Sequence, residues 1–328
     1  MNKNMPLEEL NIIFMGTSDF AAKTLAYLCE QAVPIKTVIT QPDRPAGRKQ
    51  VRTPSPVKIC AQSNRLLIKQ FEKFGKEELA AINALNPDII IVSAYGLILP
   101  PKILSLPKFG CINIHASLLP LYRGPSPIQT ALRSGDKISG VTIMLMDKGI
   151  DTGTILRQKK VEIHPDDTFP NVQEKIARAA NDIIITTIKK YTAGKINPVQ
   201  QDPSTATYTQ LIKKSDGLID WDSKAELIYN KYRAFAEWPQ VYTYFDDKGR
   251  TKKLIIDEIA IGEIRSKSSP GQVAQKDGII QIGTKTLPII PKQVTLEGSK
   301  KMDIRSFING KPHFIKTILT TKRGLFPN

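Results

Sequence analysis

Short unbroken apolar runs alternate with longer amphipathic stretches through the first half of the chain. NIIFMG at 11–16 is followed by a periodic stretch from Ser18 to Glu30 and by a second run, IKTVIT, at 35–40. Runs of this length between turn residues fit buried strands, and the periodic stretch fits a helix. DIIIVSAYG at 88–96, CINIH at 111–115 and GVTIMLMD at 140–147 repeat the strand signal, and Thr168 to Tyr191 has the length and period of a closing helix. Strands alternating with helices predict a parallel sheet covered by helices.

The pattern changes after residue 192. AGKINPVQQDPSTATYTQ at 193–210 is rich in Pro, Gln and Thr with few large apolar residues, the composition of a linker. Beyond it a helix is expected around Ala225 to Phe235. Short β-like runs then follow (VYTYF, KLIIDEIAI, GQVAQ, GIIQIG), separated by turn residues, which suggests a small β-barrel. The expected organisation is an α/β domain over 1–192, a linker over 193–209 and a smaller domain over 210–328. A chain of 328 residues is long enough for two cores.

Composition narrows the class. With 41% hydrophobic and 24% charged residues, neither a disordered nor a membrane-spanning chain is indicated. A net charge of +16 suggests a polyanionic partner, nucleic acid or an anionic surface, and the C-terminal part is the more densely basic. Cys29, Cys60 and Cys111 are too scattered for a disulfide framework or a zinc pattern. The stretch MNKNMPLEELNIIF carries acidic residues and no long apolar segment, so a cytoplasmic location without a membrane partner is expected.

The turn GTSDFA at 16–21 follows the first strand but holds a single glycine, which does not make a dinucleotide-binding fingerprint. INIHASLLPLYRG at 112–124 is more informative. The strand period of two puts Asn113 and His115 on one face, at the carboxyl end of the sheet, where open α/β sheets carry their sites. Asn113 could hydrogen-bond a developing oxyanion, and the backbone of Ser117 to Pro120 could recognise a flat polar ring. Asp151, in the Gly-flanked loop MDKGIDTG, reads alone as readily as a backbone cap; only strand order could bring it to His115. An Asn, a His and an Asp with no candidate Ser or Cys nucleophile suggest direct acyl transfer to an amine. The histidines His115, His164 and His313 are dispersed, so no metal is expected.

GTSDFA, TQPDRPAGR, SAYGLILP, GCINIHASLLP and GVTIMLMDKGIDTG, with DGLIDW and RAFAEWP further on, resemble the methionyl-tRNA formyltransferase family. The resemblance implies a Rossmann-like parallel-sheet formyltransferase domain followed by an OB-like β-barrel domain that binds tRNA. It implies 10-formyltetrahydrofolate as formyl donor and initiator methionyl-tRNA as acceptor, with a monomeric enzyme expected. Asn113, His115 and Asp151 match the family's catalytic positions, and Ser117, Leu118, Leu119 and Pro120 its folate-binding segment. The loop from Gln41 to Pro56 sets Arg44, Arg48, Lys49 and Arg52 against Asp43 alone. It resembles the family's tRNA-contacting loop, and such a cluster gains affinity for phosphates by counterion release. Leu121, Pro125-Ser126 and Ala236-Glu237 depart from the family's usual residues. The catalytic strings also fit formyltransferases acting on a small amine such as an amino sugar nucleotide.

Overall fold

A computed structural model describes residues 5–47, 50–264 and 268–321. Two of the four expected tRNA-loop residues, Arg48 and Lys49, lie outside the described residues. The described chain divides into two compact units. One takes the residues up to Pro127, Ile138–Glu162 and Gln173–Gln210; the other takes Ile128–Lys137, Ile163–Val172 and the residues from Leu211 onward.

The first unit is built on a seven-stranded sheet. Its strands are β1 (Ile12–Gly16), β2 (Ile35–Thr40), β5 (Leu67–Gln70), β6 (Ile89–Ser93), β7 (Cys111–His115), β8 (Ile138–Leu145) and β9 (Ile155–Glu162), in the spatial order β5-β2-β1-β6-β7-β8-β9. A separate antiparallel hairpin, β3 (Arg44–Ala46) with β4 (Val51–Thr53), interrupts the path from β2 to β5. The five strands from β5 to β7 run parallel, and β1 and β6 are wholly buried, as strands covered on both faces must be. The expected parallel sheet carries two antiparallel strands at one edge. β8 pairs with β7 in the antiparallel sense, Ile112 opposite Leu145 and His115 opposite Thr142, and β9 is antiparallel to β8. An apolar run such as GVTIMLMD carries no mark of direction, so periodicity could not reveal this.

The chain leaves β1 toward one side of the sheet and returns through β6 on the other. Their adjacent carboxyl ends therefore form the crevice where such sheets hold ligands. Thr17 Oγ1 and Gln41 Nε2 both donate to the carbonyl of Tyr95 across it, at 2.8 and 2.9 Å. Gly16 is needed for packing here: a Cβ would meet Ala21 Cβ and Phe14 at 2.8 Å. The helix Asp19–Glu30 begins directly after it, with Ser18 as its N-cap.

Residues 193–210 run along the first unit. Val199 and Ile155 exchange main-chain hydrogen bonds of 2.9 and 2.8 Å, and Thr207 and Thr209 bond to the main chain of Pro120 and Arg123. The linker-like composition therefore belongs to a segment that is tied to the first unit at Val199, Gln201, Thr207 and Thr209.

The second unit holds a six-stranded antiparallel sheet. Its main path is β10 (Tyr242–Asp246), β11 (Thr251–Ile261), β14 (Ile289–Leu296), β13 (Ile279–Ile282) and β12 (Val273–Lys276), with β15 (Met302–Asp303) beside β14. The path is open, but residues 316–320 hydrogen-bond to both of its ends. Thr320 exchanges bonds with Tyr244 of β10, and Lys316 and Thr317 with Val273 of β12. The helix Ala225–Ala234 belongs to this unit, where buried Arg233 donates to the carbonyls of His164 and Asp167. Among the described residues no helix is long and apolar enough to cross a membrane.

Candidate active site

Strand β7 places Asn113 and His115 on one face, both buried. His115 Nε2 lies 2.9 Å from the carbonyl of Tyr122. A carbonyl only accepts, so Nε2 carries the proton and Nδ1 is the nitrogen turned to the rest of the site. Nδ1 stands 3.6 Å from Asp151 Oδ2, and Asn113 Nδ2 donates to Asp151 Oδ1 at 3.3 Å. The structure thus brings together the three residues on which the sequence argument rested.

Asp151 arrives by an indirect route. Because β8 is antiparallel to β7, the chain leaves β8 beside the amino end of β7, and the loop 146–154 must fold back to present the carboxylate to His115. Asp151 adopts a φ of 53°, the left-handed region that residues with a side chain rarely enter. Two residues hold it there. The Gly124 N–H donates to Oδ2 at 2.8 Å, and Gln201 Nε2 donates to the carbonyls of Asp151 and Gly153 at 2.8 and 2.7 Å. Gly124 itself has φ 107°, and a Cβ there would meet Thr209 Oγ1 and the Thr209 carbonyl at 2.8 and 2.9 Å.

Arg123 is buried at 3% exposure, although its contacts are to neutral groups. Its Nε and Nη2 donate to Gln201 Oε1 at 3.0 and 2.7 Å, and Nη1 to the Tyr208 hydroxyl at 3.1 Å. Thr207 Oγ1 accepts from the N–H of Tyr122 at 2.7 Å, which steadies the residue whose carbonyl accepts the hydrogen bond from His115 Nε2. Sequence reasoning gave no role to Arg123, Gln201 or Thr207. The signal for Arg123 was its place at the end of the 112–124 string; for Gln201 and Thr207, in a polar stretch, there was none.

The turn after His115 differs from its expected character. Ser117 and Leu119 are buried, and the carbonyls of 117–120 with the Leu119 N–H are engaged within the protein. The Ser117 carbonyl accepts from Thr142 Oγ1 at 2.6 Å, the Leu119 N–H donates to that hydroxyl, and the Leu119 carbonyl accepts from Gln158 Nε2 at 2.8 Å. Leu118 and Pro120 keep part of their surface open. The reason is the two neighbouring strands: Thr142 of β8 and Gln158 of β9 satisfy these groups within the protein.

In the β3–β4 hairpin Arg44 stands opposite Thr53 and Arg52 opposite Pro45, and both arginines are exposed. The loop's one acid is already neutralised. Asp43 accepts from Lys58 Nζ at 2.7 and 2.8 Å and from Gln70 Nε2 at 2.8 Å, and Lys58, then Gln70, holds its carboxyl below the ordinary value. Arg44 and Arg52 therefore present net positive charge to solvent. An open depression of about 310 Å³ lies among Glu72, Phe74, Leu97, Ile98 and their neighbours, and none of Asn113, His115 and Asp151 lines it. No group of three or more His, Cys, Asp or Glu among the described residues is placed to hold a metal ion.

Comparison with known proteins matches two consecutive stretches of the chain. Residues 10–188 match the family described as formyl transferase, and residues 211–312 match the formyl transferase C-terminal domain. A methionyl-tRNA formyltransferase of Caldicellulosiruptor saccharolyticus is 42% identical over 314 residues, covering 92% of this chain and 97% of that protein. The chain belongs to the methionyl-tRNA formyltransferase family. Another member, from Carboxydothermus hydrogenoformans, is 41% identical over 92% of this chain and 96% of its own length. Among solved structures, an N-formyltransferase from Helicobacter canadensis, in complex with folinic acid and dTDP-3-aminofucose, shares the fold. Its TM-score is 0.63 at 19% identity, over 89% of this chain and 100% of that one. HypX from Aquifex aeolicus, in complex with tetrahydrofolic acid, gives a TM-score of 0.60 at 15% identity; the match spans 92% of this chain and 47% of that longer one. Family membership accounts for both halves of the chain, and the formyltransferase fold extends well beyond the tRNA-directed members.

Proposed function

We propose that this chain transfers the formyl group of 10-formyltetrahydrofolate to the α-amino group of methionine on initiator methionyl-tRNA, acting as a cytoplasmic monomer. The observation that carries the reading is the convergence of Asn113 and His115 on Asp151, in a chain that shares 42% identity with a methionyl-tRNA formyltransferase. The amine attacks the formyl carbon and the carbonyl electrons move to oxygen. Asn113 Nδ2–H and the protonated Nδ1 of His115 are the donors that stabilise that oxyanion. Asp151 orients the imidazole and helps remove the amine proton. Collapse then breaks the bond to the folate nitrogen, which leaves with a proton. Gly124 N–H holds the Asp151 carboxylate and Gln201 Nε2 holds its carbonyl, so the carboxylate is preorganised for this work.

Ser117, Leu118, Leu119 and Pro120 border the donor. With the Ser117 and Leu119 main chain engaged by Thr142 and Gln158, the surfaces left for the folate are those of Leu118 and Pro120. Arg44, Arg48, Lys49 and Arg52 neutralise tRNA phosphates, and the domain over 210–328, joined through 193–209, adds its basic surface to the same ligand.

Incubation with charged initiator tRNA and 10-formyltetrahydrofolate should give formylmethionyl-tRNA. Formylation of an amino sugar nucleotide with none of charged tRNA would replace this reading with the small-amine one. Replacing Arg44 and Arg52 together by Ala should weaken tRNA binding about tenfold at moderate salt and flatten its salt dependence, with kcat unchanged. An unaltered salt slope would remove the hairpin from the interface.

A further inference from the structure

We propose that Gln201 is a positioning residue for the reaction, holding the Asp151 loop in register with His115 while anchored on the buried guanidinium of Arg123. The inference rests on the catalytic reading of Asp151 given above and goes beyond it, to a side chain in the segment between the two domains.

The orientation of the Gln201 amide is fixed by its partners. Arg123 offers only donors, so Oε1 must face its Nε and Nη2, at 3.0 and 2.7 Å. The carbonyls of Asp151 and Gly153 only accept, so the NH2 must face them, at 2.8 and 2.7 Å. A flipped amide would oppose donor to donor and acceptor to acceptor at every contact. Gln201 is itself buried at 8% exposure, so losing these bonds would not be repaired by bulk water.

The loop needs such a hold. Asp151 sits at a φ of 53°, a conformation that persists only when its surroundings over-determine it. The Gly124 N–H restrains the carboxylate, and Gln201 restrains the main chain on both sides of Thr152. Arg123 adds to this, because a cation on Oε1 draws electron density from the amide and makes its N–H groups stronger donors. It also explains why a guanidinium is buried against neutral acceptors: its charge is directed into the bonds that fix the loop.

The test uses two variants in the full chain, each in the wild-type and the Asp151→Asn background. Gln201→Glu keeps the shape and the Arg123 contact but cannot donate to the two carbonyls. Gln201→Met keeps the approximate length, donates nothing and adds no charge. Each should lower kcat about 30-fold, with KM for charged tRNA and for formyl-folate changed by less than about twofold. In the Asp151→Asn background the same substitutions should lower kcat by less than about threefold, because the group being positioned is already lost. Equal losses in both backgrounds, a loss expressed in KM, or unchanged kcat would each overturn the proposal. If one variant fails to fold, the other carries the test; failure of both assigns Gln201 to stability alone and also overturns it. The underlying reading of Asp151 is tested separately: if Asp151→Asn itself leaves kcat intact, that reading has failed. If Asp151→Asn is crippled while the Gln201 variants are not, only the inference about Gln201 falls.

Discussion

Strand β7 and the loop 146–154 meet at the same few ångströms, yet they are held by different means. Asn113 and His115 are fixed by the sheet itself, since β7 is paired on both sides and buried along its length. Asp151 has no ladder to hold it; its place depends on a glycine amide and on a glutamine 50 residues further along the chain. A strand thus delivers chemistry with rigidity already included, whereas a loop must borrow rigidity from elsewhere. The borrowed part is where distant substitutions should be felt.

The comparison can be broken most forcefully on the strand. His115→Ala should reduce kcat about a thousandfold or more, with tRNA affinity unchanged, as read in single-turnover formylation and a binding titration. Retention of a tenth of the activity would remove His115 from the reaction. Asp151→Asn should cost about a hundredfold in kcat, since the amide keeps the shape of the carboxylate but neither accepts a proton nor pairs with an imidazolium.

Gly124→Ala disturbs the loop's support without changing any of the three side chains proposed to be catalytic. A Cβ at φ 107° against Thr209 should lower kcat about tenfold and stability by about 2 kcal/mol, measured by turnover and by denaturant midpoint. Stability lost without any loss in turnover would show that Asp151 does not depend on the Gly124 amide. The smallest effect is expected for Thr207→Val, which removes the acceptor for the Tyr122 N–H and so loosens the carbonyl facing His115. A loss of about threefold in kcat would place that hydrogen bond in the support of the strand-borne histidine. A loss as large as that of Asp151→Asn would mean the strand borrows its rigidity too.

The same contrast explains what could be read in the sequence. The parallel core was legible because buried strands are unbroken apolar runs, and β1, β2, β6 and β7 lie where those runs predicted them. β9 was not, because as an edge strand it displays Arg157, Lys159 and Lys160 to solvent. β14 was hidden by Pro291, which lies beside an irregularity in the pairing of β11 with β14, where a missing N–H is tolerated. In the site, the face shared by Asn113 and His115 followed from strand period alone, whereas Asp151 was reached only through the expected fold and the family resemblance. Arg123 and Gln201 were illegible for a common reason. Their positions are secured by hydrogen bonds between residues far apart in sequence, and neither apolar period nor local spacing records such bonds. Gln201 also lay in a stretch whose Pro, Gln and Thr have the composition of a linker, which gives no hint that this one side chain is buried and bonded to the Asp151 loop.

The bonding of residues 316–320 to both ends of the C-terminal sheet has a consequence for how the protein is made. These residues leave the ribosome after every strand they join, so β10 at Tyr244 and β12 at Val273 emerge before the main-chain partners that complete their edges. Until that short segment arrives, the nascent sheet offers two open templates for pairing with other chains. Its arrival closes that window at both edges at once.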